Sequence, residues 1–155
     1  MNCLLSERLS IATAGSFCCH DITPRLQELV ERAGLAEGLL IAAGQHTTTA
    51  LVVNEHEQRL LADIEAFFTS LVPSGHPWLH NDLQFRSDIP PDEPRNAHSH
   101  LIALMLGNHL TLPLQAGALG LGRYQAVLLV ELDGPRQREV LVQVWGPASQ
   151  GSARP

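Results

Sequence analysis

With 155 residues and a mass of 16.9 kDa, the chain is long enough for one domain with a real core and short for two. Hydrophobic residues at 45% and charged residues at 17% exclude a disordered polymer, and aromatics at only 5% leave a core of Leu, Val, Ile and Ala. The formal net charge of -6 argues against a general nucleic-acid footprint, although a local basic pocket remains compatible with it.

The first elements read plainly. Residues 4–13 alternate as a strand around Arg8-Leu9-Ser10-Ile11, Gly15-Ser16 turns the chain, and residues 17–22 suit a second strand. Thr23-Pro24 reads as the start of a short amphipathic helix carrying Leu26, Leu29, Val30 and Ala33, with Gly34 as its stop. Residues 38–43 are a continuous apolar run. After Gly44-Gln45-His46, the β-branched stretch 47–54 reads as further buried strand, interrupted or bent near His46.

The strongest helix signal spans residues 57–71, with Leu60, Leu61, Ile64, Phe67, Phe68 and Leu71 on one face, and Pro73 ends it. Between Pro73 and Asn96 the chain is broken by Pro73, Pro77, Pro90, Pro91 and Pro94. A loop this long in a small domain points to function or disorder, and its Trp78, Leu79, Leu83 and Phe85 favour docking onto the body. Residues 101–106 predict a short buried helix ended by Gly107. The remainder, with strands at 110–114, 124–132 and 140–145, predicts antiparallel β structure, and Pro113 suggests an edge or bulge. The expected organisation is a single domain over 1–146 and a flexible tail over 147–155.

Three chemical statements follow from residue types. Every basic side chain is Arg, so a Lys Schiff base and a P-loop lysine are excluded. Cys3, Cys18 and Cys19 match neither a disulfide framework nor a CxxC knuckle, which suits reduced thiols. No apolar stretch reaches the roughly 18 residues of a membrane span, and the N-terminus does not read as a signal peptide. The expectation is a cytoplasmic protein with neither membrane nor nucleic acid as partner.

Histidine carries the functional signal. His46 ends a strand, His80 lies in the long loop, and His100 stands where that loop enters a helix. Converged, three neutral imidazoles would leave an open position on a divalent metal, as in catalytic zinc sites; unconverged, they are three polar residues in turns. His98 would point away from His100 in a helix and share its face in a strand. Glu55, next to Asn54 ahead of the strong helix, reads equally as a proton shuttle and as a helix-end stabiliser. Asp82 and Asp88 flank the His80 loop and could orient an imidazole.

The run Gln45-His46-Thr47-Thr48-Thr49-Ala50-Leu51 with Asn54-Glu55 resembles the QHTSA…NEN segment of the YjbQ-like family, associated with secondary thiamine-phosphate synthase activity. Trp78-Leu79-His80, His100 through Gly107, and Gly122-Arg123-Tyr124-Gln125 resemble later family segments, and Glu131 falls at a family glutamate. The resemblance covers about residues 4–146. It implies an α+β fold, a bifurcated, mostly antiparallel β-sheet curled into a pseudo-barrel with outer helices, assembled as a homotrimer. It also implies a divalent metal, with zinc expected, on His46, His80 and His100. The implied reaction joins hydroxymethylpyrimidine diphosphate to a thiazole phosphate with release of diphosphate.

In that frame Glu55 and Asp82 are the candidate catalytic groups, and Thr47, Asn54, Arg95, Arg123 and Gln125 the candidate substrate-binding ones. The chain departs from the family pattern at Arg123, Tyr124 and Asn108 and in a longer stretch over 87–96. Those departures keep two alternatives in view, a metal-assisted hydrolase or lyase and a non-catalytic ligand-binding trimer.

Overall fold

β-branched and leucine-rich runs with period two build most of this molecule, a computed structural model that describes residues 2–147. In chain order the elements are β1 (Asn2–Ala12), β2 (Cys18–Asp21), α1 (Thr23–Ala33), β3 (Gly38–Gly44), β4 (Thr49–Asn54) and α2 (Gln58–Leu71). Two single 3-10 turns, Leu79–Asn81 and Leu83–Phe85, then lead to α3 (Ala97–Leu106), β5 (His109–Gln115), β6 (Ala118–Leu119), β7 (Ala126–Glu131) and β8 (Gln137–Gly146). A five-stranded sheet runs β1-β8-β3-β5-β6 and a three-stranded one β2-β7-β4, every pairing antiparallel. The fold is α+β, a curled antiparallel half-barrel with three α-helices among the described residues. Of the expected tail, all but Pro147 lies outside the described residues.

Strand β7 explains the layering. Each of its residues is buried, because both faces of the three-stranded sheet are covered. Val127 and Leu129 join one apolar cluster with Leu9, Leu40, Val140, Val142 and Val144 and with Leu26, Leu29 and Val30 of α1. Val130 faces the other way, into a second cluster with Ala50, Ile102, Ala103 and half-buried Phe68 and Trp78. Truncating a residue such as Leu129 to Ala would cost about 2–5 kcal/mol, since the core has little freedom to collapse.

Several sequence expectations are refined. The bend near His46 is a change of sheet: β3 pairs in the larger sheet and β4 in the smaller, so residues 45–48 form the crossover. The strong helix starts at Gln58 because the Glu57 carboxylate caps it, accepting the amides of Arg59 and Leu60 at 2.9 and 2.8 Å. Those two hydrogen bonds hold the Glu57 carboxyl below its ordinary pKa. The apolar face of α2 is not sealed, with Phe67 and Leu71 exposed. The long loop docks only in part: Trp78 packs on the second cluster, whereas Leu79 and Phe85 stand in solvent.

Candidate functional site

The three histidines reach one place by three local devices. His46 lies in the 45–48 crossover, which Asn108 clamps by donating to the carbonyls of His46 (2.5 Å) and Gly44 (3.3 Å). A Cβ on Gly44 would fall 2.1 Å from the Asn108 amide oxygen, so only glycine admits this brace. His80 sits in a 3-10 turn whose Asn81 side chain accepts the first amide of α3, from Ala97, at 3.1 Å. His100 projects from the first turn of α3, two residues from His98, which faces a different pocket beside Glu65 and Thr69. The helical reading of His98 therefore holds, and it is not part of this cluster.

His46, His80 and His100 line a single cavity of about 530 Å³, together with Thr47, Thr48, Arg86, Glu93, Asp133, Arg136 and Arg138. The His80 and His100 rings meet edge to face with centroids 4.8 Å apart, and His80 Nε2 is buried without a partner among the described residues. Burial, reinforced by His80, lowers the pKa of His100, with Asp133 and Glu93 opposing. Burial and then the Arg138 charge lower that of His46. Both rings are therefore neutral at physiological pH.

The three imidazoles share the cavity, but hydrogen bonding does not leave all three free as ligands in this structure. No group of three His, Cys, Asp or Glu side chains among the described residues is arranged to hold a metal ion. The cause lies in His46, whose Nε2 accepts the Glu139 amide at 2.9 Å. That bond assigns the ring proton to Nδ1, which leaves His46 no free lone pair to give. His80 and His100 offer two ligands, one short of the minimum for catalytic zinc.

Beneath the cavity is an ion pair that residue types alone do not reveal. Glu131, fully buried at the end of β7, takes a forked pair of bonds from Arg138, Nε to Oε2 at 2.6 Å and Nη2 to Oε1 at 2.5 Å. The amides of Leu132 and Asp133 and the Thr13 hydroxyl complete its shell. Burial pushes the Glu131 carboxyl up in pKa, but these bonds outweigh it and hold it below the usual range. A Cβ on Gly134 would lie 2.8 Å from Glu131 Cγ and 2.4 Å from the Gly15 carbonyl, which fixes glycine in the turn after β7. A sequence signal for the pair existed: Arg138 extends the inward row Val140, Val142 and Val144 by one step of two.

Arg86 pairs with Glu93 at 2.7 Å and donates to the His80 carbonyl at 3.2 Å, while Arg136 pairs with Asp133 at 3.1 Å. These, with Arg138, are the arginines of the cavity. Arg95 and Arg123 are not. Arg95 is exposed outside the lining, and Arg123 stacks over Tyr124 in the 120–125 turn, 5.3 Å from the ring centroid. Gln125 is used locally, accepting the Gly122 amide at 2.7 Å. Asn54 accepts the Glu55 amide at 2.8 Å, and Glu55 is exposed at the far end of β4. Asp82 is exposed between the two 3-10 turns. Of the expected catalytic and binding residues, only Thr47 reaches the cavity beside the histidines, because β4 and β7 carry Asn54 and the 122–125 turn to the opposite end of the small sheet.

Comparison with known proteins agrees with this architecture. The family described as UPF0047 protein YjbQ-like matches residues 7–147. A UPF0047 protein of Archaeoglobus fulgidus is 40% identical over 135 residues, covering 87% of this chain and 97% of the relative. One of Methanothermobacter thermautotrophicus is 35% identical over 141 residues, covering 91% of this chain and 92% of the relative. Among solved structures, a YbjQ-like protein of unknown function from Sulfolobus solfataricus superposes with a TM-score of 0.83 at 33% identity, covering 92% of this chain and 97% of that one. A hypothetical protein from Aeropyrum pernix gives a TM-score of 0.83 at 34% identity, covering 92% and 99%. A match spanning nearly all of the described chain, with relatives this similar over almost their whole length, means that the chain belongs to the UPF0047 protein YjbQ-like family.

Proposed function

We propose that the histidine-lined cavity binds a phosphorylated small molecule and promotes either hydrolysis of its phosphoester or displacement of its phosphate or diphosphate as a leaving group, with His80 and His100 as the proton-transfer pair. The observation that carries this reading is the edge-to-face contact of those rings at 4.8 Å beside three arginines. For hydrolysis, a neutral imidazole can accept the proton of an attacking water or hydroxyl, and the imidazolium so formed, directly or through the ring it touches, can return that proton to the leaving oxygen. Guanidinium groups offset charge that develops on phosphoryl oxygens.

The finer reading, thiamine-phosphate synthesis, draws its support from the family resemblance; there the thiazole nitrogen bonds to the pyrimidine methylene carbon as its C–O bond to diphosphate breaks, and the cavity's arginines and a protonated imidazole would offset or protonate the departing diphosphate. The Pro90, Asp92, Glu93 and Pro94 segment on the cavity wall favours a second reading, a phosphoester hydrolase with a different substrate. A divalent metal, with zinc expected from the family resemblance, is an alternative to the proton-transfer role of the same rings: His80 and His100 would hold it together with a third donor supplied by the ligand, and no step above runs through it. A homotrimer draws its support from the family resemblance, and the apolar side chains left in solvent, among them Leu104, Met105, Phe67 and Leu71, offer surface for an interface.

The test is turnover of phosphorylated substrates, hydroxymethylpyrimidine diphosphate with thiazole phosphate first and simple phosphate monoesters second, by wild type, His80→Ala and His100→Ala. Loss of about 100-fold or more in each variant is expected for an acid–base pair. Full activity in both variants would remove the reading. Metal analysis of the purified protein and light scattering for mass test the metal and the trimer directly.

A further inference from the structure

We propose that the phosphoryl group docks at the floor of the cavity, in an oxyanion subsite formed by Arg138, His46 and the Thr47-Thr48 turn. This rests on reading the cavity as a phosphorylated-ligand site, and it gives His46 the role of hydrogen-bond donor to an anion.

Every group in the subsite is a donor without a competing acceptor. Arg138 spends Nε and Nη2 on Glu131 and Thr48, while Nη1 has no partner among the described residues and is not among the sealed-off polar atoms. It therefore faces the cavity that Arg138 lines. His46 accepts the Glu139 amide on Nε2, which puts its proton on Nδ1, and that atom is likewise unpartnered among the described residues and not sealed off. The amides of Thr47 and Thr48, in the turn braced by Asn108, have no hydrogen-bond partner among the described residues. The Thr48 hydroxyl accepts from Arg138 Nη2 at 3.1 Å and retains its own proton to donate. Unpaired turn amides beside a guanidinium are an ordinary means of holding a tetrahedral oxyanion.

The other two arginines are poorer candidates for a physical reason. Arg86 and Arg136 sit nearer the rim, with side chains 27% and 45% exposed, and their partners Glu93 and Asp133 line the same cavity and repel an anion. The partner of Arg138 is 0% exposed and lies behind it, with both carboxylate oxygens already occupied. Arg138 is thus held rigid from the rear and open at the front, so little ordering cost remains when a ligand arrives.

Calorimetric titration of the full chain with inorganic phosphate and with diphosphate tests the assignment. Arg138→Lys and His46→Ala should each weaken diphosphate binding by about tenfold or more, because a lysine loses the planar fork and an alanine loses the donor. Arg123→Ala, outside the cavity, should change it by less than about threefold. The neutral pair Glu131→Gln with Arg138→Gln leaves no unpaired buried charge, so it serves if Arg138→Lys fails to fold, and it should lose binding equally. Wild-type affinity in Arg138→Lys or in the neutral pair, or no binding of either anion by the wild type, overturns the subsite. Phosphoester turnover lost in His80→Ala but intact binding in Arg138→Lys would sink this inference alone. Anion binding lost in Arg138→Lys with no turnover by any form would sink the enzymatic reading and leave the subsite standing.

Discussion

The two ends of the three-stranded sheet β2-β7-β4 carry equally strong polar signals in the sequence and have opposite physical characters. At one end, Glu131 stands opposite Thr49 in the β-ladder and leads through Arg138 to the cavity, with charge buried and every oxygen satisfied. At the other, Asn54 stands opposite Ala126, and Glu55 and the Gly122–Gln125 turn hydrogen-bond mainly within themselves in solvent. A strand of six residues separates the two ends by roughly 20 Å at about 3.3 Å per residue. Polar residues at a strand end mark a site only where other elements converge on that end, and here β3, β8, α3 and the 73–96 loop converge on the Glu131 side.

The contrast can be broken most forcefully at Arg138. Arg138→Ala strands the Glu131 carboxylate in the interior and should cost about 3–5 kcal/mol in chemical denaturation. Removing Arg8 from its exposed pair with Glu139 should cost about 1 kcal/mol or less. Equal effects would mean that the buried pair is open to water.

Acid sharpens the same comparison. His46 and His100 have lowered pKa values in the fold, so the unfolded chain binds protons first; their stabilisation is complete above about pH 6.5 and fades as pH falls toward the folded values. Glu131, also lowered, holds its contribution above the ordinary carboxylate range near pH 4.3 and loses it below that. Thermal melts should therefore show Tm falling in two stages, beginning below about pH 6.5. His46→Asn with His100→Asn should flatten the upper stage, and an unchanged profile would contradict the assignment.

At the exposed end the expected effects are smaller. Glu57→Ala removes the cap of α2 and should lower Tm by less than Arg138→Ala does, with the loss of α2 helicity visible by hydrogen exchange. Arg123→Ala and Glu55→Gln should each leave stability within about 0.5 kcal/mol and diphosphate affinity unchanged in a single chain. A large loss of affinity from either would mean that this end meets the cavity of a second copy, joining what the single chain keeps apart.

Much of the fold was legible because its signals are local. The period-two valines of β8, the apolar stripe of α1 with Pro24 and Gly34 at its ends, and the stop at Gly107 each depend on a few neighbouring residues. His46, His80 and His100, far apart in the sequence, line one cavity. Residue type alone does not fix a role. Arg123 and Arg95 are conspicuous in the sequence yet lie outside the cavity, while Arg138 hides in a valine row and lines it.

The sequence by itself determined the elements, the apolar faces and the set of imidazoles, because propensity, periodicity and turn chemistry act over a handful of bonds. Only the tertiary structure decided that β3 and β4 enter different sheets, that His46 spends Nε2 on the Glu139 amide, and that Glu131 and Arg138 meet under the cavity floor. These are contacts across strand registers and long loops, where burial sets the energy of a charge and no short-range pattern records which partner will be there.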